Sequence, residues 1–174
     1  MTTANPHSLL HSDVFILDTS VFIQAARSYY AFDLVPTFWT HLAKLFQKKL
    51  LISIDRVKKE IDRGKDELKK WASQFPDLFQ KTDDPDVLQS YQRVMQWAYA
   101  HPQYTSEAKA EFARADNADA WVVAFALAKG GIVVSQETSS SGSKTKIKIP
   151  DVCEAFGISC ITTFDMLRRL GITI

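Results

Sequence analysis

Short apolar runs alternate along the chain with segments in which apolar residues recur at helical spacing. The runs lack a helical period and are rich in β-branched residues, so each predicts a buried strand; they are "VFIL" before Asp18, "LLISI", "GIVVSQ" and "ISCITT". Helical spacing predicts helices over 21–27, 37–49, 55–64, 66–75, 84–101 and 163–171. Thr19 or Ser20 could cap the first of these helices through its hydroxyl group.

One longer segment, 106–131, is Ala-rich and predicts a helix that packs against the sheet. From Ala118 onward it is apolar nearly all round until Lys129, a pattern typical of a buried helix. The pattern leaves open whether the polar residues "RADN" at 114–117 belong to this helix or interrupt it. The Ser-rich, basic stretch 138–148 predicts a flexible loop between two strands.

This order of strands and helices predicts the fold class. Strands that alternate with helices form parallel sheets with right-handed crossovers, so we expect an α/β protein with a three-layer αβα fold and a mostly parallel central sheet. The 174 residues suffice for one domain and are too few for two ordinary ones. We assign residues 13–174 to this domain and residues 1–12 to a flexible N-terminal tail. Sites in such sheets lie beyond the carboxyl ends of the strands.

Four acidic residues are predicted to lie at or near that edge. Asp18 ends the first strand and Glu137 follows the third, while Asp119 heads the buried helix and Glu60 borders the apolar face of helix 55–64. Such carboxylates are costly, because burial disfavours their charged form and neighbouring carboxylates repel. Their hard oxygen ligands suit Mg²⁺ or Mn²⁺. Two such ions about 3.5 to 4 Å apart could support phosphodiester hydrolysis.

Each acid also has an ordinary structural interpretation. Asp18 is suited to a helix N-cap, Asp119 to the first turn of a helix, and Glu60 to an exposed surface. Asp151 is a rival to Glu137 for the fourth acidic position. It more naturally caps the short helix "VCEAFG".

Charged residues near these acids bear on the kind of substrate. The net charge of +1 gives the chain as a whole no attraction to a polyanion, so any such contact must be local. Asp116 could act as an accessory acid beside Asp119, or could cap the helix. Basic residues near Glu60 and on the loop beside Glu137 could hold phosphates, or could be ordinary solvated side chains; they are Arg56, Lys59, Arg63, Lys144 and Lys146.

Other features of the sequence indicate a soluble, cytoplasmic protein. No apolar run approaches the roughly 18 residues of a membrane span, and the N-terminal residues lack the pattern of a signal peptide. Cys153 and Cys160 are too few for a disulfide scaffold and match no zinc-binding spacing. We therefore expect reduced thiols in a cytosol, and no membrane partner.

Several segments together resemble the PIN-domain family. They are "FILDTSVFI", "VKKEIDRG", "ADAWVVAFALAKGGIVVSQE" and "GISCITTFDML", in the order and spacing of the family's acidic signature. The resemblance covers the chain from Val14 to Leu170. It is closest to a PIN-like prokaryotic branch, related to VapC-type toxins, that carries segments such as "YYAFDLVPTFW" and "KIPDVCEAFG".

The resemblance implies a Mg²⁺- or Mn²⁺-dependent endoribonuclease, often the toxin of a toxin–antitoxin pair. It assigns the four acids, in order, to Asp18, Glu60, Asp119 and Glu137, and an orienting role to Ser20. Its implied partners are an RNA substrate, a cognate antitoxin and a second copy in a homodimer.

The sequence departs from the family pattern in two places. Glu137 stands where Asp or Asn is more usual, and the segment from Phe75 to Thr105 is longer than in compact toxins. The alternative function is a catalytically inactive PIN-fold module that binds RNA or protein.

Overall fold

Five short parallel strands form the centre of the molecule. The computed structural model describes residues 14–174, so the predicted tail at residues 1–12 lies outside the described residues. The strands are β1 (Phe15–Leu17), β2 (Leu51–Ile54), β3 (Phe79–Gln80), β4 (Ile132–Val134) and β5 (Cys160–Ile161). Their order is β3-β2-β1-β4-β5, and every neighbouring pair is parallel. Phe15 pairs with Leu51 on one side and with Ile132 on the other, so β1 lies at the centre.

Helices connect these strands in sequence order. They are α1 (Thr19–Gln24), α2 (Pro36–Gln47), α3 (Asp55–Asp62), α4 (Glu67–Ser73), α5 (Pro85–Ala100), α6 (Ser106–Phe112), α7 (Asp119–Lys129), α8 (Ile149–Ala155) and α9 (Thr163–Arg169). A π-helical turn, Ala25–Tyr29, follows α1, and a short 3₁₀ turn, Pro76–Leu78, precedes β3. No helix within residues 14–174 is long and apolar enough to cross a membrane.

The helices cover both faces of the sheet. The chain moves outward from β1 to β3 and then returns past β1 to β4 and β5, so right-handed crossovers place α1–α4 on one face and α5–α8 on the other. On the second face, Tyr91 of α5 stacks on Trp121 of α7 with ring centroids 3.9 Å apart. On the first face, Phe164 of α9 contacts Tyr29 edge-on at 5.5 Å. The predicted α/β class with three layers and a parallel sheet is confirmed.

Helix α7 is buried nearly all round, as its apolar sequence predicts. Every residue from Ala120 to Ala126 is buried, and α7 contacts α5, α8 and strands β1, β2 and β4. The long Ala-rich segment is nevertheless two helices rather than one, because α6 ends at Phe112 and α7 begins at Asp119. The Asn117 side chain accepts a hydrogen bond from the Asp119 backbone N–H at 2.9 Å. The polar residues at 114–117 therefore interrupt the helix and fix where α7 starts.

Other boundaries also differ from the sequence prediction. The edge strand β3 was not predicted, because two residues carry no periodic signal. Asp18, and not Thr19 or Ser20, is the N-cap of α1. The prediction that Asp151 caps α8 is wrong, because Lys148 occupies the N-cap and Asp151 lies in the first turn.

The loop at 138–148 contains no helix or strand, and hydrogen bonds connect it to the segment between α5 and α6. The Gln103 side-chain amide donates to the carbonyl oxygens of Ser141 and Ser143, both at 2.6 Å. The Thr105 backbone N–H donates to the carbonyl oxygen of Lys144 at 2.9 Å. Ile147, near the end of the loop, is buried. The loop is therefore held at both its tip and its end.

Candidate functional site

Asp18 lies at the carboxyl end of β1, directly beside the end of β4. Its backbone N–H continues the strand pairing by donating to the Val134 carbonyl oxygen at 3.0 Å. The Asp18 carboxylate accepts from the Ser20 backbone N–H, as an N-cap does, and from the Ser135 hydroxyl at 2.5 Å. Only 3% of Asp18 is exposed, and this burial raises the pKa of its carboxyl group to about 6 against the lowering effect of the serine hydrogen bonds. Asp18 is therefore both a helix cap and a buried acid at the site.

Glu60 extends from α3 to the starting residues of two other helices. One carboxylate oxygen accepts from the Thr19 hydroxyl at the start of α1, and the other accepts from the Ala118 backbone N–H at 2.8 Å, just before α7. The alternative interpretation of Glu60 as an exposed surface glutamate is therefore wrong, because the residue is only partly exposed. Glu60 joins the segments that carry Asp18 and Asp119.

Asp119 occupies the first turn of α7 and points into the same region. Burial raises the pKa of its carboxyl group to about 8, and the charges of Glu137, Asp18 and Glu60 raise it further, whereas Lys146 lowers it. No hydrogen bond to the Asp119 carboxylate occurs among residues 14–174. These charge effects indicate that Asp119 lies close to the other three predicted acids.

Glu137 follows β4 and begins the loop that returns to α8. Its backbone N–H donates to the Ser135 hydroxyl at 3.1 Å. One carboxylate oxygen accepts from the Ile149 backbone N–H at 2.9 Å, and the other accepts from the Lys146 ammonium group. Only 14% of the Glu137 side chain is exposed. Glu137, rather than its rival Asp151, interacts electrostatically with Asp18 and Asp119.

Asp151 serves a different part of the molecule. Its carboxylate accepts from the Ser139 hydroxyl at 2.5 Å and from the Ser140 backbone N–H at 3.2 Å. It therefore holds the Ser-rich loop against α8.

Two hydroxyl groups connect the ends of β1 and β4. The Ser135 hydroxyl lies 3.4 Å from that of Ser20 and also binds Asp18 and Glu137. The Ser20 hydroxyl in turn accepts from the Gln136 backbone N–H at 2.9 Å. Ser135 was missed in the sequence, although a polar residue directly after a buried "VV" pair was an available signal.

A cleft of about 250 Å³ opens in front of these acids. Glu60 and Asp119 line it, whereas Asp18 and Glu137 are not among the lining residues. The remaining lining residues are Arg63, Ala108, Glu111, Phe112, Arg114, Asp116, Asn117, Thr145, Lys146 and Ile147. Acidic and basic residues thus both line the cleft.

Asp116 lies on the rim of this cleft, bound to two arginines. Its carboxylate forms a two-pronged pair with Arg114, with distances of 2.8 and 2.9 Å, and approaches Arg63 at 3.6 Å. The hydrogen bond from Arg114 holds the pKa of Asp116 below its usual range. Asp116 therefore orients the arginine pair and does not belong to the buried acid group. Arg114 was not predicted as a phosphate-binding residue.

The five predicted basic residues occupy different places. Arg63 and Lys146 line the cleft. Arg56 instead lies over the Trp121 ring at 4.2 Å and donates to the Thr82 hydroxyl at 3.2 Å.

Two predicted basic residues lie outside the cleft. Lys144 borders a separate shallow groove with residues 101–105, and exposed Lys59 is not among the residues lining the acidic cleft. The structure therefore brings only Arg63 and Lys146 of the predicted set to the acids.

The carboxylate oxygens of the four acids are suitable ligands for a divalent cation. The four carboxylates are not, however, arranged around a single ion position. Within residues 14–174, no three His, Cys, Asp or Glu side chains are arranged to hold a single ion. Both oxygens of Asp18, Glu60 and Glu137 already accept protein hydrogen bonds. Each oxygen has two lone pairs, so an oxygen that accepts a hydrogen bond can also ligate a cation. Burial, followed by the charges of Glu137, Asp18 and Glu60, raises the pKa of Asp119, and a cation would offset these charges.

Lys146 is a basic residue that interacts electrostatically with three of the four acids, Glu137, Asp119 and Asp18. Burial favours its neutral amine, but the hydrogen bond and charge of Glu137, with the charges of Asp119 and Asp18, outweigh that effect and raise the pKa of Lys146. The side chain remains 54% exposed. One ammonium group thus partly compensates several carboxylates.

Comparison with known proteins gives a family but no activity. A search of curated proteins finds no match. The family model described as "Domain of unknown function (DUF4411)" matches residues 15–174, which include β1 through α9 and every residue of the acid group. The chain therefore belongs to the DUF4411 family.

Proposed function

We propose that this protein is a metal-dependent ribonuclease that hydrolyses phosphodiester bonds in RNA. The observation that carries the proposal is a group of four acids at the carboxyl end of a parallel sheet, in which burial and the charges of the other three raise the pKa of Asp119 to about 8. Such an arrangement favours bound cations, because a cation removes both the repulsion and the cost of burial. The PIN-domain resemblance agrees with the order of these acids along the chain.

Asp18, Glu60, Asp119 and Glu137 would hold the Mg²⁺ or Mn²⁺ ions. When bound, the metal supplies an activated water and stabilisation of the leaving oxygen. Ser135 has a supporting role, because its hydroxyl binds Asp18 and the Glu137 backbone and so fixes their relative position.

The rim of the cleft fits a phosphate backbone. Arg63 and Arg114 both line the cleft, and Asp116 binds both of their guanidinium groups. Arginine presents a planar set of donors that matches phosphate oxygens. A polyanion would therefore cross the rim on these two arginines while a scissile phosphate approaches Asp119. Since the net charge is only +1, binding should depend on this local patch.

Cleavage assays with purified protein test this proposal. We expect single-stranded or transfer RNA to be cut in Mg²⁺ or Mn²⁺ and to stay intact in EDTA. Asp18→Asn and Asp119→Asn should both abolish the cut, whereas Glu67→Gln, an exposed charge change on α4, should leave it unchanged. Equal cleavage by wild type and both Asn variants would assign the activity to a contaminant or to another site.

A second candidate function is a binding module that acts without chemistry. The observation that favours it is the complete hydrogen bonding of Asp18, Glu60 and Glu137, which gives those acids a structural role. This candidate predicts no rise in melting temperature with Mn²⁺, because only a ligand that binds the folded state stabilises it. A thermal shift titration therefore separates the two candidates before any substrate is known.

The partner class follows from the toxin interpretation. If the ribonuclease is a toxin, a small DNA-binding antitoxin should be encoded beside it and should form a stable complex with it. Co-expression followed by size-exclusion chromatography would reveal that complex. If the purified protein cleaves RNA and no antitoxin is encoded beside it, the nuclease function stands and the toxin role is excluded.

A further inference from the structure

Lys146 lines the cleft, and its positive charge lies close to the acids. Its ammonium group forms an ion pair with Glu137, and it interacts electrostatically with Asp119 and Asp18. The same side chain lines the cleft together with Glu60 and Asp119. A single lysine thus pairs with Glu137 and also lines the cleft through which a cation or substrate would enter.

We propose that Lys146 is a built-in counter-ion of the acid group, which a divalent cation must displace from Glu137 in order to bind. The inference rests on the proposed function, since it concerns the same metal site. Lys146 and the cation carry charge of the same sign and compete for the same carboxylate oxygens. The lysine therefore lowers the affinity for metal and keeps the acids compensated when no metal is bound.

The local structure allows the ammonium group to leave without disturbing the loop. Buried Ile147 follows Lys146 directly, and the Ser143 hydroxyl accepts from the Lys146 backbone N–H at 3.3 Å. Glu137 keeps its second hydrogen bond, from the Ile149 backbone N–H, when the lysine moves. The half-exposed lysine has a long flexible stem, so only side-chain torsions have to change.

Direct measurement of Mn²⁺ affinity tests this role without a substrate. Calorimetric titration of MnCl₂ into metal-free wild type, Lys146→Gln and Lys146→Arg gives three dissociation constants. We expect Lys146→Gln to bind Mn²⁺ roughly five- to tenfold more tightly, the effect of removing one competing charge-assisted hydrogen bond. Lys146→Arg retains the charge and should bind more weakly than Lys146→Gln.

Lys144→Gln is the matched control, because Lys144 lies on the same loop but borders a different groove. Its affinity for Mn²⁺ should equal that of wild type. Equal affinity of wild type and Lys146→Gln, or a parallel gain in Lys144→Gln, would overturn the counter-ion role while leaving the metal site intact. Absence of Mn²⁺ binding in every variant would overturn both this role and the proposed metal-dependent function, so the two failures are distinguishable.

Discussion

Removing the charge of Asp119 should change how the stability of the metal-free protein depends on pH. The pKa of Asp119 is about 8 in the folded protein, and its ordinary value is 3.8. Between these two values the folded state holds a proton that the unfolded state has lost. The stability that Asp119 contributes is therefore fully present below pH 3.8 and is lost as pH rises toward 8. Asparagine cannot ionise, so Asp119→Asn should remove this loss.

The size of the effect follows from the width of that window. Each pH unit inside it changes the unfolding free energy by about 1.4 kcal/mol, so raising the pH from about 5 to about 7 should cost wild type at most about 3 kcal/mol through Asp119. For a chain of this length, that corresponds to a fall in melting temperature of about 5 to 10 °C relative to Asp119→Asn. Asp18, whose pKa is about 6, adds a smaller loss over the lower part of the range in both proteins.

Differential scanning fluorimetry in EDTA at several pH values gives the comparison. The quantity of interest is the difference between wild type and Asp119→Asn, since other titrating groups contribute to both. Asp116→Asn is the matched control, because Asp116 is exposed and its pKa is lowered by Arg114, so it does not titrate in this range. If wild type and Asp119→Asn show parallel curves, burial and the neighbouring acids do not raise the pKa of Asp119, and the electrostatic basis of the site is wrong.

Three further predictions concern the metal, the buried acid Asp18 and the start of β4. Mn²⁺ should raise the melting temperature of wild type but not of Asp18→Asn, measured by thermal shift; an equal rise in both would place the ion elsewhere. Ser135→Ala leaves a buried acid without one hydrogen bond and should lower the free energy of unfolding in urea by about 1–3 kcal/mol, and an unchanged midpoint would contradict the role of its hydroxyl. Gly131 has φ +102°, and an added Cβ would lie 2.9 Å from the Val14 carbonyl oxygen. Gly131→Ala should therefore destabilise by roughly 1–3 kcal/mol, whereas Gly142→Ala, with open space around it, should not.

The positions of Asp18 and Asp119 could be predicted because one follows a strand and the other begins a helix. The rule that parallel strands place their carboxyl ends at one edge is sufficient to bring Asp18 close to the residues that follow β4. Asp119 could be placed because the apolar pattern after it fixed the burial of α7. Glu60 was harder, since its hydrogen bonds to Thr19 and Ala118 join distant parts of the chain and leave no local signal.

The basic residues show the limit of sequence patterns more clearly. Arg56 and Arg63 belong to the same charged run, yet Arg56 packs on Trp121 and Arg63 reaches the cleft. Which arginine is available depends on aromatic side chains contributed by a distant helix. Arg114 was missed for a related reason, because the break between α6 and α7 that directs it to the rim could not be located from composition alone.

The hydrogen bonds from Gln103 give the long segment before α6 a purpose that its length alone does not suggest. This segment braces the loop that carries Lys146. Deleting the segment would remove the brace together with helix α5. A protein or small molecule that pulls residues 101–105 away from the loop would therefore disturb the acidic cleft from outside it.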